Sequence, residues 1–145
     1  MKYYAFFLAV LMALIPANES IASEAGLLKT VSGHVTITRD RMKISAEKGM
    51  QLEARDVLST GQESTAGIIF SDGTVFTLGP DAEFEMRKYA FEPGIQSYDF
   101  SVFLKKGTMV YNSGKIAKLA PEAVDIQTPK ATVGIRGTRL IISVD

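Results

Sequence analysis

The sequence predicts an all-β fold: a single domain of short antiparallel strands and glycine turns, arranged as a β-sandwich or as a β-roll or solenoid, with little helix. Three observations carry this expectation. Apolar and polar residues alternate with a period of two in several short runs, the mark of a half-buried strand; the clearest are Val35 and Ile37, then Ala66, Ile68 and Phe70, and the row Tyr98, Phe100, Val102 and Leu104. Turn-forming residues punctuate those runs, at Ser32-Gly33, Asp72-Gly73, Pro93-Gly94, Gly107 and Gly114. Beyond Ile15, no segment sustains the 3.6-residue apolar period of an amphipathic helix.

The N-terminus reads differently. Met1 and Lys2 form a short positive end, Tyr3 to Ile15 is nearly all apolar, and Pro16 to Ser23 turns polar and small. This is the layout of a secretory signal peptide, and its apolar core is shorter than the roughly 20 residues of a membrane-spanning helix. Ser20 and Ala22 place small side chains where a signal peptidase reads, so residues 1–22 are expected to be a cleaved signal and residues 23–145 one all-β domain, periplasmic or secreted. With no cysteine in the chain, stability must come from packing rather than disulfides, and no lipid-anchored cysteine can follow the signal. Lys and Arg together number 16, as do Asp and Glu. That balance leaves no electrostatic footprint for nucleic acid or an anionic membrane.

In chain order, Leu27 to Val31 and His34 to Arg39 read as strands around Ser32-Gly33. Arg39 to Lys48 is charged and weakly patterned and reads as a solvated loop; its basic residues are interleaved with acids and offer no aromatic for base stacking. Met50 to Leu58 fits a short strand pair or a helical turn equally well. Thr65 to Leu78 is a β-hairpin with Asp72-Gly73 at its turn, and Glu83 to Arg87 sets Phe84 and Met86 inward against charged residues outward, a sheet with one wet face. The row from Tyr98 to Leu104 is the expected centre of the core. Lys105-Lys106-Gly107 reads as a turn before a strand at Thr108 to Asn112, Ser113-Gly114-Lys115 as another turn, and Val124 to Thr128 as a further strand. Asp72-Gly73-Thr74, Lys106-Gly107-Thr108 and Arg136-Gly137-Thr138 form a faint internal repeat, each leaving a turn to open a strand.

Catalytic chemistry finds little purchase. His34, the only histidine, lies on the polar face of a strand, with no cysteine to serve and no Gly-x-Ser-x-Gly turn. Ser113-Gly114-Lys115 lacks the upstream glycine of a phosphate loop. Zinc sites draw on three or four His and Cys ligands, and the Asp72 and Asp81 turns lack the dense oxygen run of a calcium loop. Glu83 and Glu85 are the nearest thing to a glycosidase pair, but they stand on the outward face of a strand. No catalytic, cofactor-binding or metal residue is therefore assigned, and no enzyme is expected.

Three segments carry a family resemblance: IIFSDGTVFTLGPDAEFEM at Ile68 to Met86, LKKGTMVYNSGKI at Leu104 to Ile116, and TPKATVGIRGT at Thr128 to Thr138. In this order they resemble the FecR-like domain family, over about Gly33 to the end. The resemblance implies an all-β exported module that, in its namesake proteins, belongs to a transmembrane regulator controlling a sigma factor during iron uptake. Those regulators add a cytoplasmic anti-sigma segment, a membrane helix and a further periplasmic subdomain, none of which is read here. The sequence also has Arg55-Asp56 where the family tends to show Gly-Asp, and it stops at Asp145 where the family commonly continues with another strand pair.

Within the signature, Thr128, Pro129, Gly134, Arg136, Gly137 and Thr138 read as structural. Pro129 fixes φ and extends Thr128, Gly134 and Gly137 permit close approach or positive φ, and Arg136 offers five donors for a clasp, with Asp72 a candidate acceptor. The functional expectation is a non-enzymatic binding or scaffold module of the bacterial cell envelope, or alternatively a periplasmic accessory of a transmembrane signalling system with an anti-sigma regulator or receptor. Its partner is expected to be a protein or glycan, taken by strand addition at the C-terminal edge.

Overall fold

A computed structural model describes residues 24–135 and 137–145. The expected signal peptide and Arg136 lie outside the described residues. Twelve strands form one curled, helix-poor sheet, which bears out the all-β expectation. They are β1 (Glu24–Ser32), β2 (Val35–Arg39), β3 (Met42–Ser45), β4 (Gln51–Glu53), β5 (Val57–Thr60), β6 (Thr65–Phe70), β7 (Val75–Leu78), β8 (Glu83–Glu92), β9 (Ser97–Asn112), β10 (Val124–Gln127), β11 (Thr132–Val133) and β12 (Arg139–Val144). One five-residue helix, α1 (Lys115–Leu119), and 3-10 turns at Pro93–Ile95 and Pro121–Ala123 complete the elements among the described residues. No described helix is long and apolar enough to cross a membrane.

The sheet consists of two ladders that share β9. One runs β4, β1, β6, β7, the second half of β9, and β12; the other runs β3, β2, β5, β8, the first half of β9, then β10 and β11. Lys105-Lys106-Gly107, expected as a turn, instead lies inside this 16-residue strand. Gly107 has φ +91, and a Cβ there would sit 2.5 Å from the Cα of Ala82, so the glycine bends the strand and lets it exchange β8 for β7 without reversing. A Gly-Thr step thus serves two purposes that look alike in sequence: it reverses the chain at Gly73 and only redirects it at Gly107.

Two further expectations are corrected. The loop placed at Arg39 to Lys48 contains β3, paired antiparallel to β2 from Thr36 opposite Ser45 to Arg39 opposite Met42. Asp40 and Arg41 both take positive φ, 49° and 66°, as a two-residue hairpin turn of matching twist demands. β3 is an edge strand with no buried residue, so no alternation could mark it. The sheet is also not wholly antiparallel, because β10 runs parallel to β9, Val124 opposite Phe100 and Gln127 opposite Phe103. The undecided stretch from Met50 to Leu58 is strand, but its two pieces serve different ladders, β4 beside β1 and β5 between β2 and β8.

The Asp-Gly hairpin forms as expected, Ala66 opposite Leu78 and Ile68 opposite Phe76. Phe100, Val102 and Leu104 of the central row are fully buried. Phe76 joins the two ladders: its ring centroid lies 5.3 Å from Phe84, 5.7 Å from Phe100 and 5.3 Å from Tyr111. Such aromatic contacts contribute roughly 0.5–1.5 kcal/mol each beyond the area they bury.

An ion pair fastens the start of the domain. Asp56, buried, accepts Arg39 Nε at 2.9 Å and Nη2 at 2.6 Å, and its Oδ2 also accepts the Glu53 N–H at 2.8 Å. The Arg39 pKa is raised, first by its hydrogen bond to Asp56, against the opposing effect of burial. Arg55 has φ +75. The backbone conformation that glycine would take at this position is therefore kept, by an arginine, at the cost of roughly 1–2 kcal/mol for an L-residue in that region.

Candidate functional site

The C-terminal arm, from α1 to β12, is set in place by one aspartate. In the Ser71-Asp72-Gly73-Thr74 turn, Gly73 takes φ +89, which folds Thr74 back toward the side chain of Asp72. Asp72 Oδ1 accepts the Thr74 N–H at 3.0 Å, and Oδ2 accepts the Thr74 hydroxyl at 2.8 Å. The same Oδ2 accepts the Ile116 N–H at 3.1 Å, and the Asp72 carbonyl accepts the Lys115 N–H at 2.8 Å. The first turn of α1 therefore rests on this carboxylate, whose residue is 1 % exposed. Gly114, just before α1, has no room for a side chain, since a Cβ there would lie 2.6 Å from the Asp72 carbonyl oxygen.

Two tyrosines complete the surroundings. The Tyr89 hydroxyl accepts the Asp72 N–H at 3.1 Å and shares a hydrogen bond with Ser71 Oγ at 2.7 Å; burial raises its pKa, opposed by those hydrogen bonds. Tyr111 is buried, and its hydroxyl has no hydrogen-bond partner among the described residues. Its pKa is pushed up to about 12, chiefly by burial and then by the charge of Asp72.

From this clamp the chain leaves α1, passes the Pro121–Ala123 turn and enters β10 beside the first half of β9. Thr128 then closes a tight turn: its N–H donates to the Ala131 carbonyl at 2.8 Å, and its hydroxyl oxygen accepts the Ala131 N–H at 3.1 Å. Pro129 sits exposed within that turn. The return strand β11 pairs with β10 through Ile126 opposite Val133. Ser113 donates its N–H to the Thr138 carbonyl at 2.9 Å, which anchors the entry to β12. Gly137 takes φ +108, as the signature leads one to expect. Gly134 does not conform: it has open space around its Cβ position and no positive φ. The clasp expected from Arg136 lies outside the described residues; the Asp72 oxygens are engaged by Thr74, Ile116 and Tyr89.

The result is an edge. β12 pairs with β9 from Arg139 opposite Asn112 to Val144 opposite Gly107, with no shift of register, and no described strand occupies its other side. Ile142 is buried and Leu140 and Val144 pack on the core, while Arg139, Ile141 and Ser143 face outward. Ile141 is 63 % exposed. A groove of about 280 Å³ runs between Ile142 to Asp145 and the turn at Thr128 to Ala131, and a wider one of about 750 Å³ lies between the Pro121–Ala123 turn and β11.

The residues weighed for catalysis do not converge. His34 meets Ser64 through its backbone N–H, 2.8 Å from Ser64 Oγ, and not through its ring. Glu83 lies 3.8 Å from Lys105, and Glu85 lies 3.6 Å from Arg87, all partly exposed on the wet face of β8 and β9. Among the described residues, no three His, Asp or Glu side chains gather as a metal site would require. The Asp56–Arg39 pair, the role of Asp72 toward α1 and the unpartnered Tyr111 were not anticipated from sequence. Only the Asp-x-Thr spacing, which favours a local side-chain to backbone bond, hinted at any of them.

Fold and edge together define an all-β module whose C-terminal arm is held by the buried Asp72 carboxylate and ends in β12, a strand open on one side among the described residues. Residues 56–145, more than half of the chain, match the family model described as FecR protein, and the chain belongs to that family. The match begins at Asp56, so β1 to β4 precede it. No curated protein and no solved structure matches the chain.

Proposed function

We propose that this protein is a non-enzymatic interaction module of the bacterial cell envelope, serving a transmembrane signalling system as its periplasmic accessory and taking a protein partner by strand addition at β12. FecR domains are associated with transmembrane signalling regulators, which favours this reading over a free-standing scaffold. The observation that carries it is the open side of β12, six residues in unbroken register with β9 on one flank and unpaired among the described residues on the other. An added strand would satisfy those backbone groups, and side chains at alternate positions would select the partner. A glycan would call instead for an exposed aromatic platform, whereas the Phe103 ring is covered by the Arg87 guanidinium at 4.3 Å.

The test is a photo-crosslinking residue placed in cells at Ile141 or, for comparison, at Ile95, which is 73 % exposed at the far turn between β8 and β9. The expected outcome is a discrete adduct with an envelope signalling protein from position 141 and none from position 95. No adduct, or the same adducts from both positions, would contradict the reading.

A further inference from the structure

We propose that a second copy of this chain pairs with the free side of β12, antiparallel and about a two-fold axis through Ile142, whenever no other partner holds it. The inference shares β12 with the reading above but goes beyond it, because it assigns the edge a resting occupant. β12 is weakly protected against strand pairing: it contains no proline, no lysine and no bulge, and its single charged residue, Arg139, stands at its very start. Its outward Ile141 is apolar and largely exposed.

The register follows from faces and charges. Residues directly opposite one another in an antiparallel pair lie on the same face of the sheet. Leu140, Ile142 and Val144 face the core, and Arg139, Ile141 and Ser143 face outward. A two-fold pair therefore keeps its buried face continuous only when the axis passes through a residue and not between two. Centred on Ile142, the pairing sets Arg139 opposite the second copy's Asp145 at both ends, Leu140 opposite Val144, and Ile141 opposite Ser143. Centred on Ile141, it would oppose Arg139 to Ser143 and leave Asp145 without a cation. The charge complementarity of Arg139 and Asp145 about Ile142 selects the first arrangement.

The groove between β12 and the Thr128–Ala131 turn gives the incoming strand its space beside Ile142 to Asp145. Lys130 on the far wall has a stem long enough to carry its charge out to solvent. One short strand buries far less than the ~800 Å² per partner of a stable complex. The pair is accordingly reversible and gives way to a partner with a larger footprint.

Sedimentation of the exported domain over a range of concentrations tests the pairing. The unaltered protein should show reversible self-association, weakened at least tenfold by Arg139→Asp or by Asp145→Arg, each of which sets like charges opposite one another twice. An equimolar mixture of the two variants should recover it, as should the double variant, since both arrangements restore opposite charges. A monomer at every concentration, or single variants that associate like the unaltered protein, overturns the proposal.

Because the chain has no cysteine, the register can be read by disulfide formation. Ile141→Cys mixed with Ser143→Cys should cross-link faster than Ile141→Cys alone; the reverse order overturns the register. A monomer that nevertheless gives an envelope-protein adduct from Ile141 would remove this inference and leave the proposed function standing. A dimer with no such adduct would do the opposite.

Discussion

The molecule holds two buried aspartates that do similar work with different partners. Asp56 binds a cation: Arg39 approaches it through two nitrogens, bridges onward to Glu53 at 3.1 Å, and keeps 27 % of its side chain exposed. Asp72 binds neutral donors: two backbone N–H groups and two hydroxyls, held on Thr74, Tyr89 and the start of α1. An arginine that loses its carboxylate can swing toward water or toward Glu53, whereas an N–H buried at the head of a helix cannot move. The uncharged clamp is therefore the less forgiving one, and the C-terminal arm with its open edge hangs from it.

The largest expected effect is therefore at Asp72. Asp72→Ala strands three donors and should cost about 3 kcal/mol or more in urea unfolding, taking roughly 1–3 kcal/mol for each buried group left unpaired. Asp72→Asn should recover little, because one of its two oxygens becomes a donor facing donors. Asp56→Ala should cost less, about 2 kcal/mol, since it strands only the Glu53 N–H while Arg39 keeps Glu53 and solvent. Equal losses at the two aspartates would break the distinction.

The next effect in size falls on Tyr111, whose hydroxyl feels the charge of Asp72. Tyr111→Phe removes a buried hydroxyl without a partner among the described residues and should stabilise the fold by about 1 kcal/mol. The pH dependence has a definite sign. The Tyr111 pKa, about 12 when folded, exceeds the ordinary value of about 10, so its contribution is complete below about pH 10 and is lost as pH rises toward 12. The phenylalanine variant should unfold less steeply over that window in alkaline titrations followed by circular dichroism. Tyr89, shifted the same way, should act in the same direction.

The smallest effect is expected near the cation-paired aspartate. Arg55→Gly relieves a left-handed arginine but frees the unfolded chain, and the two contributions leave a net gain of about 0.5 kcal/mol, readable as a small rise in urea midpoint. A loss there would mean that the Arg55 side chain makes a contribution of its own.

The same contrast separates what local sequence encodes from what only tertiary contacts create. The Asp72-Gly73 hairpin and the row ending at Leu104 were readable because their information is local: a turn that needs positive φ, and faces that alternate. β3 was missed because an exposed edge strand has no buried face to alternate against. The continuity of β9 was missed because Gly107 is a bend whose meaning depends on Ala82, far away in sequence. The parallel placement of β10 depends on α1 resting on Asp72, a contact between residues 44 apart. Asp56 and Arg39, 17 apart, meet only once β5 has paired with β2, where Thr38 opposite Val57 brings them side by side. Of the signature, the turn at Thr128 and Pro129 and the positive φ of Gly137 follow from local chemistry, while Gly134 shows no such demand.

Residue-resolved amide exchange reads out whether β12 has one open side. In dilute protein, every second amide of Arg139 to Val144, those facing β9, should exchange slowly, and the alternate ones quickly. Raising the concentration or adding a partner should slow the fast set and leave the slow set unchanged. Uniform protection of β12 in dilute protein, or new protection that appears elsewhere and spares β12, would contradict it.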